Sequence, residues 1–249
     1  METSVNLDIR IFPDLERLAD AATKIFADAA DHAITAHGRF SVAVPGGSTP
    51  RLLFRILGSA YRESIRWKQV HIFWSDERSV PPDHEQSNYR LAYEELISKI
   101  PMPSANIHRI RGELDPAEAA REYEEELHRH FGDPGIPVFD LILLGVGQDG
   151  HTASLFPDEE TLKEDVRLVI PSYSEADGNW RITLTLPVLN NAFDILLLVS
   201  GKSKAGIISE ILEQGRRDNY PAGLVRPSRG SIIWFLDREA ASGLKVAEQ

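Results

Sequence analysis

The feature that most restricts the fold is an alternation of short apolar runs with longer amphipathic segments. The apolar runs include RFSVAV, VHIFWSDE, FDLILLGVG, FDILLLVS and SIIWFLD, and several of the segments between them place apolar residues at helical spacing. A run that is apolar at nearly every position is typical of a strand buried on both faces, as in a parallel sheet covered by helices. The chain therefore predicts a doubly wound α/β fold, with a mainly parallel sheet and helices on both of its faces.

Length and composition favour a single domain over residues 1–249. With 42% hydrophobic residues the chain can bury a sizeable core, and no repeat, low-complexity tract or linker interrupts it. The segment NLDIRIF predicts an edge strand over residues 6–12. The amphipathic segment that follows predicts a helix ending at Gly38, because glycine commonly terminates helices.

Charge and cysteine content narrow the classes of partner. The 38 acidic and 27 basic side chains leave a net charge of −11, which disfavours binding to a nucleic-acid backbone. There is no cysteine, hence no disulfide framework and no thiolate nucleophile. Neither a signal peptide nor an apolar run of about 20 residues is present. We expect a cytoplasmic protein that binds neither nucleic acid nor membranes, in which an anionic substrate requires a local basic pocket.

The first candidate site is PGGSTP, at the end of the run RFSVAV. Ligands of doubly wound sheets bind at the carboxyl ends of strands, and Gly46 and Gly47 permit a tight turn there. We expect Ser48 or Thr49 to cap the next helix, with Pro50 in its first turn. Free amides at such a helix start can bind phosphate, although an ordinary strand-to-helix turn would have the same sequence. The motif lacks the lysine of a P-loop and the spacing of GxGxxG, so it does not indicate a nucleotide cofactor.

The second candidate is the charged triplet after VHIFWS. Asp76, Glu77 and Arg78 follow an apolar strand, which places them at its functional end. Arg78 is suited to pair with a phosphate, and Asp76 could orient it or contact sugar hydroxyls. A solvated run of charges is the alternative interpretation.

The third candidate is GVGQDGH, the glycine-rich turn that follows FDLILL. His151 directly follows this turn, and Asp149 could accept a hydrogen bond from one ring nitrogen and so set the tautomer. The other nitrogen would then face the pocket as a base. Amides between Gly147 and Gly150 could stabilise an oxyanion. A surface or capping histidine is the alternative.

The other histidines give no comparable signal. His71 and His108 fall on strands, while His128 and His130 lie two apart on a helix and face different directions. We therefore expect no metal site from them.

The fourth candidate combines the start of RITLT with the segment GKSKA. Arg181 enters a strand from a glycine-containing loop, and Lys202 or Lys204 stands at a helix start. A cation there opposes the helix dipole unless an anion joins it, which favours a ligand over the alternative of a solvated lysine pair.

Together these motifs carry a resemblance. The ordered set PGGSTP, SDERSVPPDHEQSNYR, FDLILLGVGQDGHTASLFP, RITLTLPVLNNA and GKSKA resembles that of the 6-phosphogluconolactonases, the second enzymes of the oxidative pentose phosphate pathway. The resemblance implies a modified Rossmann-like fold and a mechanism that needs no metal and no cofactor. It also implies a small sugar phosphate as substrate, with the protein acting as a monomer or small homo-oligomer.

The resemblance further implies hydrolysis of 6-phospho-D-glucono-1,5-lactone to 6-phosphogluconate. His151 matches the general base that activates water, and Asp149 matches the carboxylate that orients it. Water attacks directly, so Ser154 is expected in a helical turn rather than as a nucleophile. The positions matching the family's contacts to substrate and phosphate are Gly46, Gly47, Ser48, Arg78, Arg181 and Lys204.

Two alternatives remain at this stage. Glucosamine-6-phosphate deaminases are similar, but their motifs usually read Asp-Glu-Tyr after the strand and Gly-His-Ile-Ala-Phe-Asn-Glu-Pro at the histidine. This chain has Arg78 and GHTASLFP there, with Phe156 before the proline. A non-catalytic sugar-phosphate binder is the second alternative, although such regulators normally carry a DNA-binding domain, for which this chain has no spare segment.

Overall fold

The computed structural model describes residues 8–132 and 135–245. The strands in these ranges are β1 (Asp8–Phe12), β2 (Phe40–Val44), β3 (Val70–Trp74), β4 (Asp76–Arg78), β5 (Ile107–His108), β6 (Leu141–Leu144), β7 (Val169–Ser174), β8 (Asn179–Leu184), β9 (Asp194–Val199) and β10 (Ser231–Asp237). The α-helices are α1 (Leu15–His37), α2 (Ser48–Ser59), α3 (Asn88–Glu95), α4 (Pro116–Phe131), α5 (Leu186–Leu189), α6 (Ala205–Leu212) and α7 (Pro221–Leu224). Within these ranges, no helix has both the length and the hydropathy that crossing a membrane requires.

The larger sheet, called here the main sheet, is parallel throughout. Its strand order in the described part of the chain is β1-β10-β9-β6-β2-β3-β5. Every residue of β2 and β6 is buried, and so is all of β9 except its first residue. The apolar runs thus form the centre of a parallel sheet, as predicted. Residues 6 and 7 of the predicted first strand lie outside the described ranges.

Helices cover both faces of the main sheet. Phe26 of α1 packs edge-on against Phe40 of β2, with ring centroids 5.3 Å apart. The next residue of that strand, Ser41, contacts His130 of α4 instead. Since successive strand residues point to opposite faces, α1 and α4 lie on opposite sides of the sheet, which confirms the predicted layering. The helix α1 ends at Gly38, which adopts a left-handed conformation as expected.

A smaller antiparallel sheet was not anticipated. The segment VHIFWSDE was predicted as one strand, but β3 ends at Trp74 and residues 76–78 pair with β8, which also pairs with β7. Ser75 is the junction between the sheets. Its amide donates to Val44 of the main sheet at 3.0 Å, and its carbonyl accepts from Leu184 of β8 at 2.9 Å. The chain therefore changes sheets within one residue while both backbone groups stay bonded.

Candidate active site

A cleft of about 550 Å³ opens where β2, β6 and β9 end and the small sheet begins. All the residues predicted for the site line it: Gly46, Gly47, Ser48, Asp76, Arg78, Asp149, His151, Arg181 and Lys204. The position of the cleft follows the general rule for ligands of doubly wound sheets. Lys204 lines the cleft, whereas Lys202 is not among its lining residues.

His151 and Asp149 form a close pair in the loop after β6. The Nδ1 atom of His151 lies 2.6 Å from Oδ1 of Asp149, and the His151 amide donates to the same oxygen at 3.1 Å. Gly147 makes this approach possible, because a Cβ atom there would lie 2.1 Å from His151 Nδ1. The loop is thus shaped around the pair.

The charge state of Asp149 fixes the histidine tautomer. Burial alone would raise the pKa of Asp149, but its hydrogen bonds and charge interaction with His151 outweigh that effect and lower it to about 2. The carboxylate is therefore ionised at neutral pH and can only accept, so Nδ1 of His151 carries the proton. The lone pair of the neutral ring then resides on Nε2, as a general base requires.

Two amides of the glycine turn, those of Gly147 and Gly150, do not fill the role expected of them. Gly147 donates to the carbonyl of His151 at 2.8 Å, and Gly150 donates to the carbonyl of Gly147 at 3.2 Å. These N–H groups close the turn that carries the histidine. The prediction that they stabilise an oxyanion is wrong for both glycines.

Arg78 is oriented by Asn88, not by Asp76. Its guanidinium donates to the side-chain oxygen of Asn88 and, at 3.1 Å, to the carbonyl of Gln86. A Cβ atom at Gly46 would lie 1.7 Å from Asn88 Oδ1, so the absence of a side chain at Gly46 leaves room for this contact. Sequence reasoning missed Asn88, which lies ten residues after Arg78 and has no distinctive local pattern.

Asp76 instead holds the loop that carries the histidine. Its carboxylate accepts a hydrogen bond from Ser154 Oγ at 2.7 Å, and both residues are buried. Ser154 lies in a tight turn flanked by the bridge between Thr152 and Leu155, so the expected helical turn is not formed. The hydroxyl is engaged and buried, consistent with the expectation that it is not a nucleophile.

Glu77, the middle residue of the charged triplet, points into the protein and caps α3. Its carboxylate accepts from the amides of Asn88 at 2.7 Å and Tyr89 at 2.8 Å. Burial raises the pKa of Glu77, and these hydrogen bonds oppose the rise. By fixing the start of α3, Glu77 also fixes Asn88 and through it Arg78. The triplet is therefore not a solvated charge run.

Arg181 and Lys204 bring further positive charge to the cleft. Arg181 is largely buried and donates to Asp177, while its Nε is buried with no hydrogen-bond partner in the described part of the chain. Burial lowers the pKa of Lys204, and the charge of Asp149 acts in the opposite direction. Partly desolvated cations of this kind favour an anionic ligand.

The helix start after Gly46 is open. Gly47 is the N-cap of α2, Ser48 is the first helical residue, and no side chain caps the helix. The predicted capping by Ser48 or Thr49 is therefore wrong, although Pro50 does lie in the first turn. Since no side chain occupies the positive end of α2, an anion can bind its amides.

The chain matches a known family over most of its length. The model of the glucosamine-6-phosphate isomerases/6-phosphogluconolactonase family matches residues 13–234. The protein therefore belongs to this family.

Several similar proteins are 6-phosphogluconolactonases. A 6-phosphogluconolactonase of Homo sapiens is 39% identical over 96% of this chain and 94% of its own length. One from Synechocystis sp. is 40% identical over 86% of this chain and 88% of its own. The crystal structure of 6-phosphogluconolactonase from Thermotoga maritima superposes with a TM-score of 0.81 at 33% identity, covering 93% of this chain and all of that one.

Proposed function

We propose that the protein hydrolyses 6-phospho-D-glucono-1,5-lactone to 6-phospho-D-gluconate, with His151 as the general base. The observation that carries the proposal is the His151–Asp149 pair at 2.6 Å, in a cleft also lined by Arg78, Arg181 and Lys204. A base beside a group of cations suits an ester that carries a phosphate. The similarity to the 6-phosphogluconolactonases of Homo sapiens and Synechocystis sp. supports the same substrate.

The chemistry needs a single proton carrier. Nε2 of His151 takes a proton from water as the water oxygen attacks the C1 carbonyl of the lactone. The bond between C1 and the ring oxygen then breaks, and the imidazolium returns the proton to that oxygen. Asp149 stabilises the imidazolium while it exists. Base catalysis of this kind contributes roughly 10²–10⁴-fold to the rate.

The remaining acceleration comes from positioning. In our proposal Arg78, Arg181, Lys204 and the open start of α2 hold the phosphate, and Asp76 acts indirectly by fixing the histidine loop. A local cluster of cations is what an anionic substrate needs in a chain with a net charge of −11. Anchoring the phosphate holds C1 near the water that His151 activates.

Further proposals concern the domain organisation, location and partners of the protein. We propose that the chain is one domain over residues 1–249, that it acts in the cytoplasm as a monomer or small homo-oligomer, and that it does not bind nucleic acid. The deaminase alternative is disfavoured by Arg78 and by Phe156, which lies 5.0 Å from the His151 ring at the place where the deaminase motif carries other residues.

The test is a coupled assay. The lactone is generated in situ from glucose 6-phosphate, its product is followed with 6-phosphogluconate dehydrogenase, and spontaneous hydrolysis is subtracted. We expect acceleration by the wild type and its loss in His151→Ala. His37→Ala is the matched control, because His37 also contacts a carboxylate, Asp140 at 2.9 Å, but lies on α1.

The outcomes separate the alternatives. Full activity of His151→Ala would remove this histidine as the base while leaving the substrate in place. If the folded wild type gave no acceleration, glucosamine 6-phosphate would be tested next. Binding of sugar phosphates without turnover of either substrate would favour the non-catalytic binder.

A further inference from the structure

Three histidines that are distant in sequence meet at the edge of the main sheet. His71 lies on β3, His108 on the edge strand β5 and His130 in the last turn of α4. One ring nitrogen from each residue lies within 4.8 Å of the others. The expectation of no metal site considered only neighbours along the chain and did not anticipate this cluster of three histidines. We call them the histidine trio.

We propose that the histidine trio binds a divalent transition-metal ion of the zinc type, at a site separate from the catalytic cleft. Imidazole nitrogens suit zinc and its neighbours in the first transition row, and three histidines with a water molecule form a common tetrahedral set. The bound ion would tie the edge strand β5 to β3 and to the end of α4. This inference does not depend on the proposed lactonase activity.

The spacing of the nitrogens is close to what a metal requires. His71 Nδ1 and His108 Nε2 lie 3.0 Å apart. Two nitrogens that each bind zinc at about 2.0–2.1 Å in a tetrahedral arrangement are about 3.3 Å apart. A small outward movement of the two rings would therefore admit the ion, with the His71 proton that lies between them transferred from Nδ1 to Nε2 of the same ring. His130 must then approach by at most about 1.5 Å.

A carboxylate prepares His108 to be a ligand. Its Nδ1 atom lies 2.6 Å from Glu126 Oε1, and Arg129 contacts the other oxygen of Glu126 at 2.7 Å. The hydrogen bond to Glu126 places the proton on Nδ1 and leaves the lone pair of Nε2 facing His71. A carboxylate behind a histidine is the usual arrangement in metal sites, where it orients the ring and strengthens the ligand.

Another hydrogen bond holds His130. Its Nε2 atom lies 2.9 Å from Ser41 Oγ. Ser41 is the register partner of His71 on the neighbouring strand, so the same sheet face supports both rings. The ring of His108 stacks on Phe73 at 4.1 Å. The trio is therefore held in place by packing before any ion binds, which lowers the cost of assembling the site.

The surroundings of the three rings disfavour their protonated forms. Burial lowers the pKa of His71 to about 4 and that of His130 to about 3, and the charge of Arg39 acts in the same direction on both. Burial also lowers the pKa of His108, opposed by Glu126, with Arg129 lowering it further.

The site can be reached from solvent. His71 and His130 are only partly buried, whereas His108 is buried. A separate cavity of about 470 Å³ lies on the Glu126 side of His108. The arginines around it repel a free cation, so we expect the neutral imidazoles and Glu126 to determine the affinity.

The test uses Co²⁺ as a spectroscopic substitute for Zn²⁺. Chelator-treated, full-length protein is titrated with Co²⁺, and the visible d–d absorption of the tetrahedral ion is recorded. We expect one equivalent per chain, with the absorption lost in His71→Gln, His108→Gln and His130→Gln. Glu126→Gln should weaken metal binding by about 10–100-fold, as expected for a residue that hydrogen-bonds a metal-coordinating histidine. Zn²⁺ should raise Tm in the wild type and not in the three ligand variants.

Two matched controls locate the ion. His37→Gln changes the His37–Asp140 pair, and His151→Gln changes the catalytic pair, and both should retain the absorption and the response to Zn²⁺. Circular dichroism and unfolding of the metal-free variants establish that each has folded. Absence of binding by the folded wild type would overturn the proposal. So would loss of the signal in His151→Gln, or an unchanged signal in folded variants of the trio.

Discussion

Two histidine–carboxylate pairs in this protein have the same geometry and different surroundings. His151 and Asp149 face each other at 2.6 Å in the catalytic cleft, and His108 and Glu126 do so at 2.6 Å on the side of the main sheet covered by α4. The His151 side chain is 33% exposed and the His108 side chain 8%. The first pair is accessible to substrate, whereas the second is enclosed by other rings. A short histidine–carboxylate hydrogen bond therefore does not distinguish a general base from a metal-binding histidine. The residues around the pair do.

The neighbours differ in kind. The catalytic pair shares its cleft with Arg78, Arg181 and Lys204, which favour an anion. The second pair lies against His71 and His130, whose neutral nitrogens favour a cation. We therefore propose that two regions of one chain use a similar histidine–carboxylate pair for ligands of opposite charge.

The largest expected effect compares the two histidines directly. His151→Gln should lower kcat by about 10²–10⁴-fold, because the chain loses its base. His108→Gln should leave kcat unchanged, since its ring lies outside the cleft. Steady-state kinetics of the lactonase reaction on both variants makes the comparison. Equal losses in the two variants would break the distinction between the pairs.

The next effect compares the arginines near each pair. Arg181→Gln should raise KM by roughly 10- to 150-fold, the equivalent of a charged hydrogen bond of about 1.5–3 kcal/mol. Arg129→Gln is the control, because Arg129 contacts Glu126 and not the cleft. Kinetics at increasing lactone concentration should show that KM is unchanged in Arg129→Gln. A normal KM for Arg181→Gln would remove this residue from the phosphate site.

A smaller effect is expected when the two lysines near the cleft are compared. Lys204→Gln should raise KM by roughly two- to tenfold, about one hydrogen bond, whereas Lys202→Gln should not change it. The two lysines are two residues apart, but only Lys204 lines the cleft. Measurements on both variants at the same ionic strength make this comparison. The reverse pattern would assign the phosphate contact to Lys202.

The smallest expected effect is a difference in how the two regions make folding stability depend on pH. The pKa of His71 and of His130 lies below the ordinary 6.5, so the unfolded chain takes up these protons first and acid favours unfolding. Their contribution to stability is complete above about pH 6.5 and declines as the pH falls toward about 4 and 3. Asp149, with its pKa lowered from 3.8 to about 2, contributes stability that is lost only below about pH 4.

The corresponding variants should change different parts of the acid branch. In metal-free protein, replacing His71 and His130 by Gln should flatten the fall in unfolding free energy between about pH 6.5 and 4. Asp149→Asn should lower the unfolding free energy by a nearly constant amount above about pH 4 and change its pH dependence only below that value. Urea denaturation at a series of pH values measures both. A changed slope of unfolding free energy against pH in Asp149→Asn near pH 6 would contradict the assignment of the two windows.

The contrast between the pairs also shows what could be predicted from sequence. His151 and Asp149 lie two residues apart in a glycine turn, so local pattern was enough to place them together. The buried strands β2, β6 and β9 and the end of α1 were likewise local signals. His71, His108 and His130 come from three elements, and only the packing of α4 over the sheet brings them together. The residues next to each histidine in the sequence do not indicate that packing.

The same limit applies within the cleft. Which side chain of the triplet Asp76, Glu77 and Arg78 faces the substrate depends on the change of sheet at Ser75, which the apolar pattern does not reveal. The bond from Asp76 to Ser154 joins residues 78 positions apart. The capping of α3 by Glu77 and the contact of Arg78 with Asn88 follow from the same fold geometry. Sequence identified the residues of the cleft better than the connections between them.

The junction at Ser75 has a consequence for substrate size. The proposed base belongs to a loop of the main sheet, while Arg78 and Arg181 belong to the small sheet. Because Ser75 bonds to both sheets, it helps to set the distance between the proposed base and the two arginines. We expect a phosphorylated lactone one carbon shorter to be bound through its phosphate but hydrolysed more slowly, because its carbonyl would lie short of the activated water. The joint between the two sheets would then limit the length of the substrate.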